Sequence, residues 1–304
     1  MTLTYSLADV VPYINWVYFD HAWGMTGKPE SVCRELHHEA EGRLERYADR
    51  YHTYAVFRLF DCYSEGDDVV IREPDSEVGG GGRTVEGGRR LPFLRQQQQG
   101  SDYLCMADFI SPKDLSLSTS RPAEGRLQSR NPSLSTVKTV LPTRQIGLFA
   151  TSVDHGFESD FSADPYEKMM MQLLADRLAE ATAERLHEQV RKDFWGYAKD
   201  EHLSIDAMLQ NRFQGIRPAV GYPSLPDVSL NFVLDSLLDM RQVGIRLTES
   251  GAMRPHASVS GLMLAHPHAR YFSIGKIGDD QLCDYARRRG VPVELMRKFL
   301  AANL

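Results

Sequence analysis

Apolar residues recur at helical spacing in two long stretches of the chain. In residues 29–52 they recur every four positions, at Val32, Leu36, Ala40 and Leu44, which predicts an amphipathic helix. A longer helix is predicted from Asp164 to about Lys192. Its start carries an N-cap (Asp164), a proline at the first helical position (Pro165) and a glutamate three residues after the cap (Glu167).

Shorter apolar runs bounded by turn residues predict strands. The expected strands are residues 54–62, 69–72, 103–110, 145–153, 244–248, 257–265 and 271–277. Residues 64–68 (SEGDD) predict a hairpin turn between the first two strands. A further helix is expected at residues 229–240, and two short helices close the chain, where Gly290 caps the first and Pro292 opens the second.

This order of elements favours an α+β fold with an antiparallel sheet, because strands and helices do not alternate as they do in a doubly wound sheet. Residues 77–88 are glycine-rich, and residues 114–140 combine Ser, Arg, Pro and Leu with little periodicity. Both are expected to be flexible insertions. No linker divides the chain, so residues 1–304 are expected to form one domain.

Composition excludes several classes of function. The net charge of the 304 residues is −6 with no sustained basic run, which argues against nucleic acid as a partner. No apolar run approaches the ~20 residues of a membrane span. The four cysteines, Cys33, Cys62, Cys105 and Cys283, lack metal-ligand spacing. Without a secretory signal either, the chain is expected to be cytoplasmic with reduced thiols.

The richest chemistry lies in the proline-bracketed segment 215–223 (GIRPAVGYP). Arg217 is a permanent cation whose planar fork matches a carboxylate. Gly221 allows a ligand to approach the main chain, and Tyr222 offers a ring face to an adenine or a sulfonium. S-adenosylmethionine would use all three groups. The alternative is a surface loop with an unrelated arginine, and the loop alone does not decide between them.

The segment 217–222 resembles the Arg-x-x-x-Gly-Tyr signature of the S-adenosylmethionine-binding activation domain of cobalamin-dependent methionine synthase. The resemblance covers nearly all of residues 164–304. It includes the segments 176–181 (DRLAEA), 186–192 (LHEQVRK), 195–198 (WGYA), 247–250 (LTES), 257–261 (ASVSG), 266–267 (HP) and 280–290 (DQLCDYARRRG). The N-terminal half is similar more loosely, through residues 13–16, 66–68 and 107–109.

The resemblance implies a bent α+β domain around a twisted antiparallel sheet, with long flanking helices. It also implies a set of S-adenosylmethionine-binding residues: Asn15, Glu180, Arg217, Ala219, Gly221, Tyr222, Tyr271 and Phe272. In the family's pattern Arg217 binds the ligand's carboxylate, and Glu180 suits either its amino group or its ribose hydroxyls. Ala219 and Gly221 would present backbone groups, and Tyr222 would border the adenosyl or sulfonium part. No catalytic acid or base is implied.

Three positions depart from the family's pattern. Asn15 stands where the family usually has an aspartate that pairs with the ligand's ammonium, so weaker binding is expected because charge assistance is lost. Arg254 and His256 replace the usual Trp and Gly.

The resemblance favours a free-standing activation module, a methyltransferase component that supports reductive methylation of cob(II)alamin carried by a partner module. A flavodoxin-like protein would supply the electron. The alternative is a docking protein that no longer needs S-adenosylmethionine, a role that Asn15 and Arg254 favour. An ordinary methyltransferase is disfavoured by the missing Gly-x-Gly fingerprint.

Overall fold

The computed structural model describes residues 1–72, 88–113, 143–161 and 163–304. The predicted insertions at residues 77–88 and 114–140 lie outside the described residues, apart from Gly88. The α-helices are α1 (Leu7–Val10), α2 (Trp16–Ala22), α3 (Glu30–Arg46), α4 (His155–Ser159), α5 (Pro165–Gln189), α6 (Ile205–Leu209), α7 (Leu230–Leu238), α8 (Asp279–Arg289) and α9 (Val293–Phe299). In the described ranges, no helix is both long and apolar enough to cross a membrane.

The described strands are β1 (Thr2–Ser6), β2 (His52–Glu65), β3 (Asp68–Ile71), β4 (Arg89–Pro92), β5 (Gln145–Val153), β6 (Arg246–Leu247), β7 (Met253–Arg254) and β8 (Ser258–Met263). Six of these form an antiparallel sheet in the order β4-β3-β2-β5-β8, with β1 paired to the first residues of β2. The short strands β6 and β7 form a separate pair. The prediction of an α+β fold with an antiparallel sheet is confirmed.

Both faces of the sheet are buried, and alternate residues of each strand point to opposite faces. Phe57 and Phe149 pack with the buried residues of α5. Val56 and Leu148, one position away, pack instead with α7 and with Ile216. The helix α5 therefore lies on one face of the sheet, and α7 with the start of the loop after Gly215 lies on the other.

Most of the predicted elements are confirmed, with shifted ends. The strands β2, β3, β5 and β8 and the helices α5, α7, α8 and α9 lie where the pattern placed them. The helix predicted for residues 29–52 ends at Arg46. It buries Leu36, Ala40 and Leu44 but leaves Val32 at 41% exposed.

Two predicted strands are wrong. Within residues 103–110, Met106–Phe109 form a 3-10 helix, because the Asp108 carboxylate accepts the backbone N–H of Cys105 (2.8 Å) and closes a turn. Residues 271–277 do not join a ladder. They are tied to a neighbouring loop by single contacts, of which one is Ile274 N–H to the carbonyl of Pro223 (2.9 Å).

Candidate functional site

A cleft of about 550 Å³ opens between α5 and the loop of residues 217–224. Its floor includes Phe149 of β5 and Val259 of β8, and its rim includes Tyr18 near the start of the chain. The volume lies in the range of ordinary small-molecule sites.

The loop keeps its position because it runs beside β8 like an irregular edge strand. Four backbone hydrogen bonds of 2.9–3.0 Å join Ile216, Pro218 and Val220 to β8 and the residue after it. Ala219 stands opposite Gly261. Because Ala219 and Gly261 exchange no backbone hydrogen bond with each other, the N–H of Ala219 points away from β8. No acceptor for that N–H is found among the described residues, so it is available to a ligand in the cleft.

Arg217 lies at one end of the cleft, and its side chain is only 12% exposed. The guanidinium is ion-paired with Glu184 of α5, whose side chain is 13% exposed. The backbone N–H of Arg217 donates to the hydroxyl of Tyr271 (3.0 Å). The cation is thus fixed both through its main chain and through its charged end, as recognition of an anion requires.

A buried histidine supports Arg217 from behind. Nη1 of Arg217 lies 3.5 Å from Nδ1 of His187, and Nε2 of His187 lies 3.2 Å from the hydroxyl of Tyr197. Because a guanidinium only donates, Nδ1 must accept and Nε2 carries the proton. Complete burial, with the charge of Arg191 nearby, holds the pKa of His187 well below its ordinary value, so the imidazole stays neutral.

The helix α5 ends beside this histidine in one π-helical turn, Val190–Phe194. Arg191 in this turn is fully buried and holds Glu201 through bonds of 2.6–3.0 Å. Its guanidinium also lies over the ring of Phe213, 4.3 Å from the centroid, and Phe213 packs edge-on against His187. A buried ion pair therefore fixes the end of the helix next to the cleft.

At the other end of the cleft Glu180 accepts a hydrogen bond from the hydroxyl of Tyr222. The Tyr222 residue is 49% exposed and lines the cleft. Phe272 is held nearby because its carbonyl accepts the hydroxyl of Ser224. This end offers a carboxylate and aromatic faces, which suit a hydroxylated sugar and a flat base.

Asn15 reaches the cleft from the segment before α2. It is the N-cap of that helix, and its Oδ1 accepts the N–H of Val17 (3.2 Å). That oxygen keeps a second lone pair, so the side chain offers a ligand both an acceptor and the NH₂ donor, but no charge.

The structure brings seven of the eight sequence-predicted residues to this one cleft: Asn15, Glu180, Arg217, Ala219, Tyr222, Tyr271 and Phe272. Gly221 lies outside the lining. Its φ of 88° makes a turn in which its N–H donates to the carbonyl of Leu225 (2.8 Å), so it positions Tyr222. Whether the seven residues hold S-adenosylmethionine stays a prediction.

Sequence reasoning missed Glu184 and His187. Glu184 follows Glu180 by four residues and shares its helix face, which was a usable signal. His187 precedes Glu188 but lacks the second histidine of a His-Glu-x-x-His metal motif, so the sequence carries no signal for its role. In the part of the chain that the structure describes, no group of His, Cys, Asp and Glu side chains could hold a metal ion.

Comparison with known proteins agrees with this geometry. Residues 6–290 match the family model described as the activation domain of vitamin B12-dependent methionine synthase. Among solved structures, the chain is similar to the crystal structure of the MetH reactivation domain bound to AdoHcy. The two are 32% identical with a TM-score of 0.82, over 100% of this chain and 90% of that one.

Proposed function

The chain belongs to the family of vitamin B12-dependent methionine synthase activation domains, and we propose that it binds S-adenosylmethionine in the cleft between α5 and the 217–224 loop. The observation that carries this proposal is the position of Arg217, a nearly enclosed cation at one end of a cleft whose other end is aromatic. A similar structure holds AdoHcy, the demethylated product of S-adenosylmethionine.

The residues present fit this ligand. Arg217 would take the carboxylate, and the N–H of Ala219 would donate to the same end of the molecule. Glu180 would accept the ribose hydroxyls, and the rings of Tyr222 and Phe272 would border the adenosyl group. A methyl donor held in this cleft would be presented to a docked partner.

We further propose that the chain reactivates a cobalamin-dependent methionine synthase, in support of methionine biosynthesis. A cobalamin carried by the partner module would supply the methyl acceptor, and a flavodoxin-like protein would supply the electron that reduces it. The residues of this chain perform no proton transfer. They hold the methyl donor at a fixed place, which turns a chance encounter into a local step.

Isothermal calorimetry of the chain with S-adenosylmethionine tests the binding. Arg217→Gln is expected to weaken binding by ten- to a hundredfold, because a charge-assisted hydrogen bond contributes about 1.5–3 kcal/mol. Arg34→Gln is the matched control, since Arg34 lies on α3 with its side chain 71% exposed. Absence of binding at millimolar ligand would instead favour the docking protein without a need for S-adenosylmethionine.

The reactivation role is tested by mixing the chain with a cobalamin-bearing module supplied as a separate protein, reduced flavodoxin and S-adenosylmethionine. We expect the visible spectrum of methylcobalamin to appear only when all components are present, with one AdoHcy formed per methyl group transferred. Equal formation without the chain would contradict the role.

A further inference from the structure

The ammonium group of an amino-acid ligand is best met by an anion in this cleft, and Asn15, a neutral amide, does not supply one. The Oδ1 atom of Asn15 already accepts the N–H of Val17 at the start of α2, which leaves it one lone pair. Its NH₂ is a donor, which suits a carboxylate and opposes an ammonium. The anion that receives the ammonium must come from elsewhere in the lining.

Two carboxylates line the described cleft, Glu180 and Glu184. They lie one helical turn apart on α5 and face different neighbours. Glu180 is bonded to the hydroxyl of Tyr222 at the aromatic end. Glu184 is bonded to the guanidinium of Arg217, and both side chains are nearly enclosed.

We propose that Glu184 receives the ammonium while Arg217 binds the carboxylate, so that this ion pair recognises the zwitterionic end of the ligand. An α-amino acid carries both charges on one carbon, so its receptor needs a cation and an anion side by side. Arg217 and Glu184 are such a pair. The inference rests on the proposed function, because it names the groups that select the ligand's amino-acid end.

The ion pair also explains how the cleft tolerates two nearly enclosed charges. Without ligand, Glu184 and Arg217 neutralise each other, which avoids the cost of an isolated buried charge. When the zwitterion enters, each charge exchanges its partner for one on the ligand. His187 stays on Nη1 of Arg217 throughout, so the guanidinium keeps its place when Glu184 turns to the ammonium.

This exchange predicts that Glu184 affects two kinds of ligand in opposite directions. Glu184 attracts a ligand with an ammonium, but it competes with a ligand that has only a carboxylate. Removing its charge must therefore weaken the first kind of ligand and not the second. A merely structural role for Glu184 would weaken both alike, because Arg217 would be misplaced in each case.

The experiment compares AdoHcy with its desamino analogue, in which hydrogen replaces the ammonium, by calorimetry. The variants are Glu184→Gln, Glu180→Gln and, as a control of equal charge change, Glu41→Gln on the exposed face of α3. We expect Glu184→Gln to weaken AdoHcy by roughly ten- to a hundredfold and to leave the analogue's affinity unchanged or higher. Glu184→Asp should recover part of the AdoHcy affinity.

Equal weakening of both ligands by Glu184→Gln would overturn the inference, as would an ammonium-specific loss in Glu180→Gln. Failure of the unsubstituted chain to bind either ligand would instead count against the proposed function itself. Thermal melts of each variant confirm that the fold is retained before the affinities are compared.

Discussion

Gly261 of β8 allows the cleft loop to lie against the sheet, and a single methyl group there is expected to displace it. A Cβ at this position would lie 2.3 Å from the carbonyl oxygen of Pro218, which is 1.1 Å short of the 3.4 Å at which ordinary contact begins. It would also lie 2.9 Å from Cα of Ala219 and 3.0 Å from the ring of Phe149. Backbone atoms on one side and a core aromatic on the other leave it no room.

The variant Gly261→Ala must therefore move the loop by about 1 Å or strain it in place. Overpacking of this kind costs about 1–3 kcal/mol of unfolding free energy, and it opposes the hydrogen bonds from Val220 to Ser260 and from Leu262 to Pro218. Because Arg217 lies in the same loop, AdoHcy affinity should fall by roughly ten- to a hundredfold, as misplacements of this size can cost.

Urea denaturation and calorimetry measure the two effects. Gly42→Ala is the matched control, because Gly42 is exposed on α3 and its added Cβ would meet nothing within 4 Å. That substitution should stabilise the fold by up to about 1 kcal/mol. If Gly261→Ala were as stable as the parent and bound AdoHcy equally well, the contact with β8 would not be what positions the loop.

Three other outcomes follow from the described contacts. Glu201→Gln should lower the unfolding free energy by about 3 kcal/mol in urea melts, because it leaves the fully buried charge of Arg191 poorly paired. Because folding lowers the pKa of His187, this histidine is protonated in the unfolded chain at pH values where it stays neutral in the folded chain. Stability should thus fall by about 1.4 kcal/mol from pH 7.5 to 5.5, and His187→Gln should remove that part of the pH dependence. Asn15→Asp should strengthen AdoHcy binding less than about fivefold, since Glu184 already supplies an anion. A larger gain would indicate that the ammonium binds at position 15 and not at Glu184.

The parts of the fold that the sequence predicts best are those whose signals are local. The start of helix α5 is predicted from Asp164, whose carboxylate accepts the N–H of Tyr166 (2.8 Å) as expected of an N-cap. The hairpin between β2 and β3 follows from Gly66, which adopts a φ of 62° at the turn. In each case the deciding interaction lies within a few residues of the chain.

The wrong predictions concern segments whose structure is decided by distant partners or by competing side chains. Residues 271–277 look like a strand, but Ser224 and Pro223 of the cleft loop take the hydrogen bonds that a ladder would need. Asp108 similarly converts an apolar run into a 3-10 turn by capping Cys105. Neither competition is visible in hydrophobic periodicity, which reports burial rather than pairing.

The site residues also fall into two groups, those that local sequence predicts and those that depend on distant partners. Arg217 and Tyr222 lie in a motif that can be recognised from the sequence. The role of Glu184 can be inferred only once α5 is known to face the loop. A helix places residues three and four positions apart on one face, so Glu180, Glu184 and His187 form a row on α5, of which the two carboxylates line the cleft. The recognisable motif gives one wall of the site, and the opposite wall follows from helix geometry once the facing elements are known.

The position of that row is set by the core and not by the ligand. The helix α5 buries residues along most of its length, including Leu178 and Leu186, and its backbone carbonyl at Ala179 accepts the hydroxyl of Thr151 on β5 (3.0 Å). Glu180 is the next residue after that anchor. With α5 fixed to β5, and with the facing loop fixed to β8 beside β5, both walls of the cleft rest on adjacent strands of one sheet. A ligand therefore meets charges whose spacing is already established, which reduces the ordering cost of binding.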